Sequence, residues 1–143
     1  MLLFDMVSLV EKLIKRGCVT INQSASINEL ILKLNKHNFG CLVVLNESNR
    51  VCGIVSERDI IRNYNSFNNN SKVFDIMTKN TITCSSKITS EKLMQLMTEN
   101  KIRHIPIVEG ENLLGIVSIG DVVNRLIKNF NDEAKNLRDY INS

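Results

Sequence analysis

Gly115-Ile116-Val117-Ser118-Ile119-Gly120-Asp121-Val122, near the end of the chain, repeats a pattern set earlier by Gly53-Ile54-Val55-Ser56-Glu57-Arg58-Asp59-Ile60. In each copy apolar residues follow a glycine, as in a buried strand, and a Ser then leads to an Asp three residues on. A Ser at an N-cap with an acid at the third helical position sets a hydroxyl and a carboxylate beside the free N–H groups of a helix start. That spacing admits two readings. One is a capping box, in which Ser satisfies the N–H at N3 and Asp reaches back to the cap N–H. The other is a nucleoside grip, with an ionised Asp accepting two hydrogen bonds from a ribose diol while Ser and the helix start suit a phosphate.

Working outward, the two copies lie in matching surroundings. Leu2, Leu3, Met6, Val10, Leu13 and Ile14 recur at spacings of three and four, which predicts an amphipathic helix ended by Gly17. A short strand at Cys18 to Ile21 follows, then a helix capped by Ser26 and carrying Leu30, Ile31 and Leu34. Cys41 to Leu45 and Val51 to Val55 read as strands joined by the turn Asn46-Glu47-Ser48-Asn49, and Ser56 opens a helix. The Asn- and Ser-rich stretch 63–72 reads as a linker. After one helical turn at Val73 to Thr78 the series restarts. A strand is expected at Thr81 to Cys84, a helix from Thr89 to Asn100, strands at His104 to Val108 and Leu113 to Val117, and a helix after Ser118. Val19-Thr20 lies over Ile82-Thr83, Leu30 over Leu93, Leu34 over Met97 and Val44-Leu45 over Ile107-Val108. One strand–helix–strand–strand–helix unit is too short to bury both faces of its sheet, so the pair is the folding unit.

Composition narrows the function classes. The 143 residues are 43% hydrophobic and 23% charged, within the range of soluble globular domains. A net charge of +3, with basic residues scattered among acidic ones, argues against a nucleic-acid surface. Cys18, Cys41, Cys52 and Cys84 form no C-x-x-C pair, and neither His37 nor His104 completes a zinc set. They read as small buried thiols of a reducing compartment. Asp5 interrupts the apolar start, so no signal peptide is read, and no apolar run reaches membrane-spanning length. A cytoplasmic protein without a membrane partner is expected. No nucleophile stands beside a base and no P-loop is present, so an enzyme is not expected.

The final helix runs on past the repeat. Val122, Val123, Leu126, Ile127, Phe130, Ala134, Leu137 and Ile141 form an apolar stripe that needs a covering surface, either the N-terminal helix or the same helix of a second copy in a homodimer.

The doubled G-h-h-S-x-x-D (h, apolar), Asp75-Ile76-Met77-Thr78, and the run from Leu96 to Val108 that contains Arg103-His104-Ile105-Pro106 resemble a tandem pair of CBS (cystathionine β-synthase) domains, a Bateman module. The likeness covers residues 19–126 and is closest to small stand-alone proteins of this family. It implies an α/β (α+β) fold of two pseudo-symmetric βαββα repeats packed sheet to sheet, with flanking N- and C-terminal helices. The corresponding division is an N-terminal helix at 1–18, repeat 1 at 19–64, a linker and lead-in segment at 65–80, repeat 2 at 81–126, and a C-terminal extension at 127–143. The resemblance also implies two clefts for adenosyl ligands such as AMP, ADP, ATP, S-adenosylmethionine or NAD, bound as regulators and not as required cofactors. By resemblance the grips are Ser56 with Asp59 and Ser118 with Asp121, each near the lead-in segment of the opposite repeat.

The clefts are expected to differ. Where repeat 2 has Arg103-His104, repeat 1 has Gly40-Cys41, and basic side chains here hold phosphates in similar proteins. On this reading the cleft at Asp121 has both a ribose grip and a phosphate grip, and the cleft at Asp59 suits an uncharged or zwitterionic tail. Residues 10–17 lack the D-I-M-T pattern of 75–78, and Gly120 carries no hydroxyl. Two functions remain open: a regulatory adenosyl-ligand module that signals to a separate effector protein, and a ligand-free dimerisation scaffold.

Overall fold

Two helix starts show how local sequence builds the frame. The Ser26 hydroxyl accepts from Glu29 N–H and the Thr89 hydroxyl from Lys92 N–H, each at 3.1 Å, so equivalent caps open equivalent helices in the two halves. A computed structural model describes the backbone of residues 2–142 and the side chains of 9–142. In chain order the elements are α1 (Leu2–Arg16), β1 (Thr20–Asn22), α2 (Ile27–His37), β2 (Cys41–Leu45), β3 (Val51–Ser56) and α3 (Glu57–Arg62). The second half has α4 (Val73–Ile76), β4 (Thr78–Lys79), α5 (Ser90–Asn100), β5 (His104–Glu109), β6 (Asn112–Ser118) and α6 (Ile119–Asn142).

The first sheet has the order β1-β2-β3-β4, with β1 parallel to β2 and the other pairs antiparallel. The second is the antiparallel pair β5-β6. The strand expected at Thr81 to Cys84 is not formed. Its lead-in, Thr78–Lys79, pairs instead with Gly53 and Ile54 of repeat 1. Cys84 alone bridges Ile107 in parallel, as Ile21 pairs with Val44 in the first repeat. Gly53 permits this crossing: an added Cβ would lie 2.5 Å from the Thr78 carbonyl oxygen and 2.9 Å from Met77 Sδ.

Each repeat has its own core, completed by the segment that leads into the other. Leu30, Leu34, Leu42, Val44 and Val55 of repeat 1 pack with Val73, Ile76 and Met77 from the lead-in to repeat 2. Leu93, Met97, Ile105, Val117 and Val122 of repeat 2 pack with Leu9, Val10 and Leu13 of α1. Within the stripe predicted for α1, Leu2, Leu3 and Met6 lie outside the described side chains, and Ile14 is exposed. The α6 stripe divides. Val122 and Leu126 join the repeat 2 core, while Phe130, Leu137 and Ile141 remain 72%, 61% and 70% exposed, uncovered by α1.

Candidate functional site

The two S-x-x-D turns fold alike and end in different states. At both, the strand stops at Ser and the next residue begins a helix: Glu57 N–H donates to Gly40 O at 3.2 Å, and Ile119 N–H to Arg103 O at 2.8 Å. At the second turn, Ser118 N–H donates to Asp121 Oδ2 at 2.8 Å and Asp121 N–H donates to Ser118 Oγ at 3.1 Å, a reciprocal capping box. At the first, Ser56 N–H and the Ser56 hydroxyl both donate to Asp59 Oδ2, at 2.8 and 3.2 Å. Both bonds fall on Oδ2 and none among the described residues reaches Asp59 Oδ1, while Asp59 lines an open cavity of about 360 Å³.

That cavity gathers side chains from both repeats. Ser56, Arg58, Asp59 and Arg62 come from the first, Thr78 and Thr81 from the segment that runs from the lead-in into the second, and Lys101, Arg103 and His104 from the turn between α5 and β5 and the first residue of β5. Lys101 adopts a left-handed backbone (φ 53°) that ends α5, and Ile102 N–H bonds back to Met97 O at 3.0 Å. This turn carries Arg103 into the cleft. The distribution corrects the expected asymmetry, because Arg103 and His104 line the cavity of Ser56 and Asp59. His104 is paired across the sheet with Ser118 and sits electrostatically near Asp121 as well. The physical reason is the pseudo-two-fold packing: the turn before β5 in repeat 2 faces the helix start of repeat 1. Sequence order alone places Arg103 with the Asp of its own repeat. Arg58, Arg62, Lys101 and Arg103 outnumber the lining carboxylates Glu57 and Asp59, so the cavity favours anions. Arg62 and Lys101 were missed in the sequence because helix-end cations look like solvated surface.

At the second turn the carboxylate is engaged from within the chain. Arg16, in the last turn of α1, donates from Nη1 to Asp121 Oδ1 at 2.9 Å and from Nη2 to Asp121 Oδ2 at 3.0 Å. Nη2 also donates to Ile116 O at 3.0 Å. Burial pushes the Asp121 carboxyl up, but hydrogen bonds from Arg16 and Ser118 outweigh it and hold it below the usual carboxylate range. The hydrogen bond to Asp121 raises the Arg16 guanidinium above its ordinary value. His104 is lowered, chiefly by burial and further by Arg103 and Arg16, against the pull of Asp121. Its resting form at neutral pH is therefore the uncharged imidazole.

All four cysteines are free. Burial pushes Cys41 and Cys84 up to about 12, so Cys41, the thiol of the cavity wall, stays protonated and is a poor nucleophile. No helix among the described residues is long and apolar enough to cross a membrane.

Comparison with known proteins agrees with this architecture. The CBS domain profile matches twice, at residues 10–66 and 73–128. The chain belongs to the CBS-domain family. Among curated relatives, the mitochondrial CBS domain-containing protein CBSX3 of Arabidopsis thaliana is 36% identical over 125 residues. That match covers 81% of this chain and 60% of CBSX3, so the chain spans less than two thirds of that relative. Among solved structures, a CBS-domain protein from Agrobacterium tumefaciens superposes with a TM-score of 0.72 at 35% identity, covering 81% of this chain and 91% of that one. The CBS domain pair of protein MJ0100, solved with 5′-methylthioadenosine and S-adenosyl-L-methionine, gives a TM-score of 0.72 at 26% identity, covering 84% and 95%. This chain is a tandem CBS pair with a long C-terminal helix.

Proposed function

We propose that this CBS pair is a regulatory module that binds an adenine nucleotide in the cavity at Ser56 and Asp59. One observation carries the reading: a ribose-type carboxylate with an unused oxygen, Asp59 Oδ1, shares a cavity with the cations of Arg103 and Lys101. In this reading Asp59 accepts from the ribose diol, Ser56 and the start of α3 lie beside the sugar, and Arg103 with His104 holds phosphate oxygens. The adenosyl compounds bound by MJ0100 support an adenosyl ligand for the fold. The excess of cations favours AMP, ADP or ATP over S-adenosylmethionine, whose sulfonium would meet like charge. The protonated Cys41 thiol supports binding and not catalysis.

A ligand can regulate only through its different affinity for two states. Both repeats line this cavity, so a bound nucleotide ties them together, and an effector protein would read the resulting arrangement. The test is calorimetric titration of AMP, ADP, ATP, S-adenosylmethionine and NAD into the wild type and Asp59→Ala. Micromolar or tighter binding of a nucleotide that Asp59→Ala abolishes supports the reading. Absence of binding by every ligand to well-folded wild type refutes it.

A scaffold reading rests on a separate feature, the exposed Phe130, Leu137 and Ile141 of α6. A homodimer joined through this face predicts that Phe130→Asp with Leu137→Asp shifts the sedimenting species to monomer. Unchanged sedimentation removes it.

A further inference from the structure

We infer that Arg16 is a specificity-determining residue that makes this CBS pair a one-nucleotide binder, its guanidinium standing at Asp121 where a ribose diol would stand. The inference deepens the function proposed above, since it states why the second of two related clefts takes no nucleoside.

A ribose diol and a guanidinium both present two neighbouring hydrogen-bond donors to a carboxylate, but the guanidinium adds a full charge and a planar fork matched to both oxygens. At Asp121 that fork is engaged, with Nη1 on Oδ1 and Nη2 on Oδ2, while Ser118 N–H takes a further place on Oδ2. A neutral diol would have to displace a charged bidentate partner.

Arg16 is also held firmly in place. It belongs to the last turn of α1, and Leu9, Val10 and Leu13 of the same helix are buried in the repeat 2 core. The Leu13 carbonyl oxygen lies 3.4 Å from where a Cβ on Gly115 would stand, so helix and strand meet backbone to backbone. The bond from Nη2 to Ile116 O pins the guanidinium from a third direction. Moving Arg16 aside therefore means loosening the end of a docked helix. Beside Asp121 there remains a smaller cavity of about 210 Å³, walled by Lys12 of α1 and Lys128 of α6. The first cleft has short Thr78 and Thr81 on the wall supplied by the opposite repeat, and no cation on its carboxylate.

The experiment is titration calorimetry with ATP on the full chain, comparing wild type, Asp59→Ala, Arg16→Ala and the double variant. Expected stoichiometries per chain are one for wild type, none for Asp59→Ala, two for Arg16→Ala and one for Arg16→Ala with Asp59→Ala. Arg16→Gln, which keeps length and a donor but loses the charge, serves if Arg16→Ala melts early, and should also gain a second, weaker site. Arg16→Lys, which keeps the charge, should stay at one. Two sites in wild type, or a single site that survives Asp59→Ala, overturn the inference. So does a failure of both uncharged Arg16 variants to gain a site. Wild type that binds nothing while Arg16→Ala binds one nucleotide per chain upholds the role of Arg16 and refutes the site at Asp59, which separates the two claims.

Discussion

The clefts at Asp59 and Asp121 descend from one sequence pattern, yet one carboxylate faces a cavity and the other faces a guanidinium. The strand, the cap and the acid are alike in the two repeats. The difference comes from what the opposite repeat supplies: Thr78 and Thr81 on a short extended segment at the first cleft, and Arg16 on a helix at the second. A doubled motif thus specifies two equivalent frames and leaves their use to residues distant in sequence.

The comparison can be broken first at the cores. Leu30 and Leu93 are equivalent and fully buried, and truncating either to Ala should cost about 2–5 kcal/mol. Each core borrows from the segment leading into the other repeat, so both variants should lower one shared melting transition. Near this chain length, a kcal/mol moves the midpoint by about 2–4 °C. Two separate transitions in a calorimetric scan of Leu93→Ala would mean that the halves fold independently.

The carboxylates sharpen the contrast next. A nucleotide at about a hundred times its Kd should stabilise wild type by roughly 2.7 kcal/mol. Asp59→Ala should erase that gain and lower the ligand-free midpoint only by the loss of its cap on α3, while Asp121→Ala should keep the gain and lower the ligand-free midpoint further, since it loses both a cap and the Arg16 bridge. The latter loss should be about 1–2 kcal/mol, because the bridge is charge-assisted but the Arg16 side chain is 41% exposed. Equal effects of the two substitutions on ligand response would erase the asymmetry.

Arg103 tests the assignment of charge. Arg103→Ala should weaken ATP binding roughly tenfold or more, by losing a hydrogen bond between charged groups worth about 1.5–3 kcal/mol, and should leave adenosine nearly unaffected. An equal loss for adenosine would make Arg103 a structural part of the wall.

The smallest effects are in pH. His104 is neutral at rest, with Asp121, Arg103 and Arg16 as its charged neighbours. A bound phosphate would raise its pKa, so binding should take up part of a proton and tighten by roughly a few-fold in all as pH falls from 8 towards 6. Calorimetry in buffers of different ionisation heat reads that proton, and His104→Gln should abolish it. At Asp121 the depressed carboxyl gives stability that is present above the ordinary carboxylate pKa and lost as pH falls through its lower folded value. The midpoint difference between wild type and Arg16→Ala should therefore close below about pH 4, followed by thermal melts across the acid range.

The internal repeat was legible because it is written in local patterns. Caps at Ser26 and Thr89, apolar runs at 41–45 and 104–108, and the glycines before each S-x-x-D report backbone and burial preferences that act within a few residues. From these the sequence by itself determined the order of helices and strands apart from the strand expected at Thr81 to Cys84, the pairing of the two halves, and Ser56, Asp59, Ser118 and Asp121 as the polar groups at the helix starts. Three features depended on the assembled molecule. Thr78–Lys79 left its own repeat to pair with β3, Arg103 crossed to the cavity of Asp59, and Arg16 reached Asp121 over a separation of 105 residues. Each is a contact across the pseudo-two-fold, and hydrophobic periodicity carries no information about which partner lies there. Repeat geometry builds both helix starts alike, and a contact 105 residues away in sequence decides which carboxylate carries a cation.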